Sequence, residues 1–345
     1  MSVVTLIGSG QMASALTFPL IENGHEVRLV GSPLDGDIID RLRRDRYHVN
    51  LKRTLHDGIR YYKIEDLAES LQDTDLVVCG VSSFGVDWFA EEILPILDEK
   101  IPVLSVTKGM LNEADGSLVT YPEYWEGKLQ PGSKLGIYAI GGPCTARDLS
   151  DHDQSFVGFC GRNLEKLKWI RSLFETGYYV ISLTDDVVGL ESAVALKNGY
   201  ALGTALAIGM AEKLGDDGVD HNNSEAALFQ QSVKEMMDLL KIVGGRPENI
   251  MFAAGDLNVT VAAGRSRTVG LLLGKGYTIE AVMEELKGQT LEAVVIATRT
   301  AEAVKALAER GIVSLEDYPL LMHVDGLLNH GEKLNIPWKK FQKIM

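Results

Sequence analysis

The stretch "VVTLIGSGQMASA" at residues 3–15 sets two glycines, one residue apart, between an apolar run and a string of small side chains. In a strand–turn–helix setting each residue type has a task. Gly8 permits a tight turn, Gly10 lets the backbone come close to a pyrophosphate, and Ala13 lets the helix pack closely on the sheet. A helix that starts with Gln11 and Met12 would aim free N–H groups and the positive end of its dipole at the phosphates. The chemistry expected here is the holding of a nicotinamide dinucleotide, NAD or NADP. A close-packed turn with no ligand would carry the same letters, so the turn alone does not decide.

The choice of coenzyme hinges on the residues just past the second strand. An NAD site usually places an acidic residue there to hold both ribose hydroxyls. Here "EVRLVG" runs into "SPLDGD", with Ser32 first and Asp35 only later. Arg28, Arg41, Arg43 and Arg44 offer a cation for a 2′-phosphate, although "RLRRDR" reads equally well as a solvated helix face. The balance leans to NADP.

A second set of reactive residues lies far along the chain. Lys197 interrupts an apolar stretch in "ALKNGYALG", Asp256 and Thr260 sit in "GDLNVTVAAG", and Arg265 opens "RSRTVG". Reduction of a ketone needs a hydride on carbon and a proton on oxygen, so a proton donor must sit by the carbonyl. A lysine in apolar surroundings suits that exchange, and arginine fits a phosphate bidentately. Each also has a plain structural reading: Lys197 as a lysine snorkelling from an amphipathic helix, Asp256 as a helix N-cap, Arg265 and Arg267 as a solvated turn. Their joint occurrence behind a coenzyme turn favours a site. Metal chemistry is not expected. The three cysteines, Cys79, Cys144 and Cys160, have no close spacing, and the seven histidines supply no pair on one helical face.

These residues need elements to position them. A chain of 345 residues is near the upper limit of one core, so two domains are expected. The first half alternates short buried-strand runs, "SVVTLIG", "HEVRLVG", "TDLVVCGV", "IPVLSVT" and "KLGIYAI", with amphipathic segments such as "EDLAESLQD" and "WFAEEILPILDE". "SFVGFC" and "YYVISLT" would complete the sheet. From about Val187 helical spacing takes over. The expected fold class is α/β: a Rossmann-type doubly wound parallel sheet over residues 1–186, followed by an all-helical domain over 187–345.

Composition removes several function classes. A net charge of −14 argues against a nucleic-acid binder, while leaving room for a local cationic pocket. The most membrane-like stretch, "AVALKNGYALGTALAIGMA", contains Lys197 and Asn198 and reads as a buried helix rather than a span. Strand-like sequence starts at Ser2 with no basic leader before it, so a cytoplasmic location is expected.

Taken in order, "SVTKGM", "GGPCTARDL", "ALKNGYALGTALAIG", "GDLNVTVAAGRSRTVGLLLGKG" and "KGQTLEAV" resemble the NAD(P)-dependent glycerol-3-phosphate dehydrogenase family, over nearly the whole chain. The resemblance implies reversible hydride transfer between dihydroxyacetone phosphate and sn-glycerol 3-phosphate, in glycerophospholipid metabolism, by a homodimer. By motif, Lys197 would be the general acid/base, with Asp256 beside it. Asn198 and Thr260 would line the pocket, Lys108 would meet the substrate from the coenzyme domain, and Arg265 with Ser266 would face the phosphate. Lys108, Arg265 and Glu292 would also face the coenzyme, together with Gly8, Gly10, Gln11, Met12 and Ser32.

The family pattern breaks in places. Ser266 stands where asparagine follows the phosphate-facing arginine, "HNNSEAA" puts Glu225 where a lysine is usual, and Cys144 replaces an asparagine or threonine. Losing one amide beside a buried phosphate removes about 1–3 kcal/mol of binding. These departures keep alive a second reading, a dehydrogenase of the same fold acting on another small anionic hydroxy compound such as a sugar phosphate, a sulfonate or an opine-like acid. A third, a coenzyme-binding sensor without catalysis, fits poorly with Lys197, Asp256 and Arg265 occurring together.

Overall fold

A computed structural model describes residues 1–215, 221–289 and 291–341. The chain divides into two compact units. One holds residues 1–108 and 121–191, and the other 109–120 and 192–345. This differs from a single cut at 186/187: the division falls inside a long helix, and a short segment from the first half belongs with the helices.

The first unit is built on eight strands: β1 Val3–Ile7, β2 Glu26–Val30, β3 Arg60–Tyr62, β4 Leu76–Cys79, β5 Val103–Ser105, β6 Ile137–Gly141, β7 Ser155–Cys160 and β8 Tyr179–Thr184. Their order across the sheet is β8-β7-β6-β5-β4-β1-β2-β3. The part from β3 to β6 is the doubly wound order of dinucleotide-binding sheets. All neighbours run parallel except β6 and β7. Sandwiched strands must be apolar on both faces, which is why the sequence shows unbroken runs there instead of alternation. Ile7, Cys79, Ser105 and Ala139 pair across β1, β4, β5 and β6, so these strands end nearly level. Their succeeding turns therefore share one edge.

Helices α1 Gln11–Glu22, α2 Gly36–Asp45 and α3 Leu164–Phe174 belong to this unit. The expected crossover helix "WFAEEILPILDE" is instead broken into three short pieces, Val86–Trp88, Phe89–Ile93 and Leu94–Ile96. Pro95 lacks an N–H and cannot continue the α ladder, so the segment changes pitch.

The second unit is mostly helical: α4 Val187–Leu214, whose first turn still belongs to the sheet unit, then α5 Asn222–Ile242, α6 Ile250–Ala262, α7 Arg265–Gly274, α8 Ile279–Glu285, α9 Glu292–Glu309 and α10 Pro319–Asn329. α4 is apolar nearly all round because it is buried by its neighbours. α7 approaches it backbone to backbone: a Cβ on Gly270 or Gly274 would lie 2.2 Å from Leu202 O or 2.3 Å from Leu206 O. This close contact fixes where the start of α7 stands relative to Lys197. The buried Glu235 on α5 accepts from the first amides of α10, Leu320 N–H at 2.8 Å and Leu321 N–H at 3.0 Å, and so caps that helix from another one.

The strands Met110–Asn112 and Leu118–Thr120 form a hairpin that also belongs to this unit. Met110 enters the helical core, and Arg299 donates to its carbonyl at 3.0 Å. Asn112 bonds Glu302 at 3.0 Å, and Arg310 bonds Asp115 O at 2.6 Å.

Candidate active site

In the sheet unit, the turn after β1 is set by backbone contact. Gly8 adopts φ +99°, and a Cβ there would lie 2.8 Å from the carbonyl carbon of Gly80. Gly80 is equally constrained, since its own Cβ would come within 2.4 Å of Ala13 Cβ. Gly10 is different. A Cβ there meets only Gly80 O, at an ordinary 3.5 Å, so the fold itself does not require glycine at this position. Space left beside an uncapped helix start is what a pyrophosphate needs.

The first bond of α1 is Ser14 N–H to Gly10 O, and no side chain caps the helix. The amides of Gln11 and Met12 are therefore left for a ligand. Two distant side chains brace the turn: Asp35 accepts from Ser9 N–H at 3.0 Å, and His48 donates from Nε2 to Ser9 O at 2.9 Å. The tautomer is set by Leu51 N–H, which donates to His48 Nδ1 at 3.0 Å. The residues present thus fit a nicotinamide dinucleotide.

Asp35 also accepts from Ser32 N–H at 2.8 Å. Its Oδ2 is thus committed to two amides of the turn. Arg28 is excluded as a phosphate ligand, because it is buried and bonded to Glu26, Ser70 O and Gln72 O. Arg41, Arg43 and Arg44 pair with Asp45, Asp66 and Asp45.

Lys108 lies just beyond the level end of β5, on the edge shared by the glycine turn, and its Nζ donates to Gly142 O at 3.0 Å. Near enough to feel its charge lies Glu191, which sequence reasoning did not single out. Glu191 is fully buried, and neither carboxylate oxygen has a hydrogen-bond partner among the described residues. Burial pushes its carboxyl up to about 8, against the pull of the Lys108 charge. A single acid inside "VVGLESAVAL" was the available signal. Cys144 is half-buried in the loop after β6.

In the helical unit, Lys197 on α4 meets α6. Its Nζ donates to Asp256 Oδ1 at 2.9 Å and to Thr260 Oγ1 at 2.7 Å. Thr260 gives its own hydroxyl proton to Asp256 O at 2.6 Å, so it can only accept from the ammonium. Asp256 and Thr260, four apart on one helix, hold the amine in a fixed direction, and both lysine and aspartate are buried.

A cleft of about 220 Å³ opens beside this amine. Lys197, Asn198, Thr260, Arg265, Ser266 and Glu292 line it, so six of the seven residues expected in this half share one wall, with Asp256 behind Lys197. Two helices begin at the cleft, α7 at Arg265 and α9 at Glu292. The first bond of α7 is Thr268 N–H to Gly264 O, which leaves the amides of Arg265 and Ser266 outside the helix ladder. Two helix N-termini and the exposed Arg265 offer positive charge at this cleft, while Lys197 is paired with Asp256 and Glu292 adds a carboxylate to the lining.

Glu225 lies in the first turn of α5, where a negative charge suits the helix dipole, and it does not line the cleft. Arg267 turns to Glu212 at 3.9 Å. Of "GQTLEAV", Thr290 lies outside the described residues.

Comparison with known proteins finds matches in both halves of the chain. The family description "NAD-dependent glycerol-3-phosphate dehydrogenase N-terminus" matches residues 3–161, and the corresponding C-terminus matches 186–338. A "NADP(+)-dependent glycerol-3-phosphate dehydrogenase" of Archaeoglobus fulgidus is 32% identical over 311 residues, covering 89% of this chain and 90% of the relative. A "Glycerol-3-phosphate dehydrogenase [NAD(P)+]" of Bacillus mycoides is 30% identical over 318 residues, covering 90% and 87%. The solved structure of a Plasmodium falciparum glycerol-3-phosphate dehydrogenase shares the fold, with a TM-score of 0.82 at 21% identity, over 99% of this chain and 95% of that one. No helix among the described residues is long and apolar enough to cross a membrane.

Proposed function

Because the chain belongs to the NAD-dependent glycerol-3-phosphate dehydrogenase family, we propose that it interconverts dihydroxyacetone phosphate and sn-glycerol 3-phosphate. It is an NAD(P)-dependent oxidoreductase acting on a CH–OH group. When bound, the nicotinamide supplies or accepts the hydride at C2 of the substrate.

The chain's own residues manage the proton and the phosphate. In the reducing direction Lys197 gives a proton from Nζ to the C2 oxygen as the carbon takes the hydride. In the oxidising direction it removes the hydroxyl proton. Asp256 and Thr260 keep the amine aimed, and Asn198 organises the wall beside it. Arg265 and the free amides of Arg265 and Ser266 receive the phosphate, whose binding energy goes into orienting C2. Lys108 is assigned a further contact with the substrate. Glu292 is assigned to the coenzyme, along with Gly8, Gly10, Gln11, Met12 and Ser32.

The observation that carries this reading is the pinned amine of Lys197 at a cleft ringed by two helix starts and Arg265. Preference for NADP belongs to the same proposal. It is supported by the commitment of Asp35 Oδ2 to two amides of the turn and by the coenzyme named for the Archaeoglobus relative. So do a homodimeric state, which rests on the resemblance, and a cytoplasmic location, which rests on the strand-like sequence from Ser2 with no basic leader before it. The test is oxidation of NADPH and NADH by purified protein with dihydroxyacetone phosphate. Turnover on this ketone, faster with NADPH, is expected. No turnover with either coenzyme removes the proposal.

A further inference from the structure

Four segments far apart in sequence meet on the surface of the sheet unit. Glu22 ends α1, His56 lies in the loop before β3, His152 comes after the short helix Ala146–Ser150, and Tyr178 precedes β8. His56 Nε2 is 3.0 Å from Glu22 Oε1, and His152 Nε2 is 2.7 Å from the same oxygen. The three ligand atoms all lie within 4.8 Å of one another. A tetrahedral ion with bonds of about 2.0–2.1 Å wants its ligands roughly 3.3 Å apart, so modest rotation of these side chains is enough.

The carboxylate is oriented by a hydrogen bond and the two rings by packing. Tyr178 donates its hydroxyl to Glu22 Oε2 at 2.6 Å, leaving Oε1 turned toward the imidazoles. Phe18 packs edge-on against both rings, at 4.8 Å from His56 and 6.2 Å from His152. Burial pushes the Glu22 carboxyl up, but the bonds from His152, Tyr178 and His56 outweigh it and keep the acid below its ordinary value. The side chains remain 28–46% exposed, so an ion can reach them from solvent.

We propose that Glu22, His56 and His152 bind a divalent transition-metal ion of the zinc class through Oε1 and the two Nε2 atoms, with water completing the shell. Two imidazoles and one carboxylate suit zinc, cobalt or nickel, whereas magnesium and calcium want oxygen throughout. Coordination through Nε2 requires the proton each imidazole keeps to sit on Nδ1. α1 has 12 residues, so the site stands about 18 Å from the coenzyme turn at the other end of that helix. The ion is a clamp joining three remote points of the chain, independent of the dehydrogenase chemistry. Spacing along the chain gave no hint of a metal site, because these ligands are 34 and 130 residues apart.

The test uses the full chain, stripped with a chelator and titrated with cobalt(II) and with zinc. One equivalent should bind with the visible bands of tetrahedral cobalt, and zinc should raise Tm by mass action. His56→Ala and His152→Ala should each weaken binding about 100-fold or more, and Tyr178→Phe about tenfold. Should the histidine variants fail to fold, imidazole 15N shifts in the unmodified protein decide: zinc must move two of the seven histidines. Stoichiometric binding that survives the double histidine substitution, a different set of moved histidines, or no binding overturns the proposal. Dehydrogenase turnover should be the same in stripped and loaded protein.

Discussion

The turn after β1 and the cleft beside α4, both proposed to receive phosphate groups, are made by opposite means. The turn is made by leaving side chains out: Gly8 and Gly80 touch through backbone, and bare amides start α1. The cleft is made by bringing side chains in, with Lys197, Asn198, Thr260, Arg265, Ser266 and Glu292 on one wall. A site of backbone is damaged by adding atoms, whereas a site of side chains is damaged by removing or recharging them. The two units treat buried carboxylates just as differently. Glu235 in the helical unit has four hydrogen-bonding groups around it, from Gln231, Leu320, Leu321 and Tyr200, yet burial still pushes it up to about 7. Glu191 has none among the described residues.

The sharpest way to break this contrast is Lys197→Met. The expected result is a fall in kcat of about 1,000-fold with an unchanged circular dichroism spectrum, because the chemistry is lost and the packing retained. In the turn, Gly8→Ala should cost about 3 kcal/mol, read as a lowered urea midpoint together with weakened NADPH binding by fluorescence titration. A folded variant that binds normally would show that the Gly80 contact is not limiting.

Glu191→Gln tests the carboxylate contrast. The folded state holds a proton on Glu191 up to about pH 8, while the unfolded chain releases it near 4.5. Wild-type stability must therefore fall as pH rises through that interval. The glutamine variant lacks the loss, so its stability relative to wild type should climb by roughly 3–4 kcal/mol between pH 5 and 8 and level off above that. A flat difference would mean that the acid is ionised when folded. The smallest effect is expected from Arg265→Lys. The point charge remains and the bidentate grip is lost, so KM for the phosphorylated ketone should rise about tenfold with kcat nearly kept.

The legible parts of the molecule were those whose cause is local. An apolar run, a tight turn and a helix start lie close together in sequence at the glycine turn, and strands buried on both faces announce themselves by unbroken apolar letters. Lys197 and Asp256 are 59 residues apart, and their pairing could be anticipated only through family likeness. The bracing of Ser9 by Asp35 and His48 left no trace in spacing, because any polar residue within reach could do it. Pro95 was visible, but whether a proline bends a crossover segment or breaks it depends on the packing around it. The hairpin at 109–120 read as part of the sheet half because proximity in sequence was taken for proximity in space.

That hairpin also constrains how the protein is made. Its partners Arg299, Glu302 and Arg310 emerge from the ribosome much later, at separations of 189, 190 and 195 residues. At about 5–20 residues per second, Met110 waits roughly 10–40 s before the helices that bury it exist. During synthesis the nascent chain carries a hairpin whose Met110 has no core to enter until those helices are translated, and chaperone engagement should concentrate on that interval.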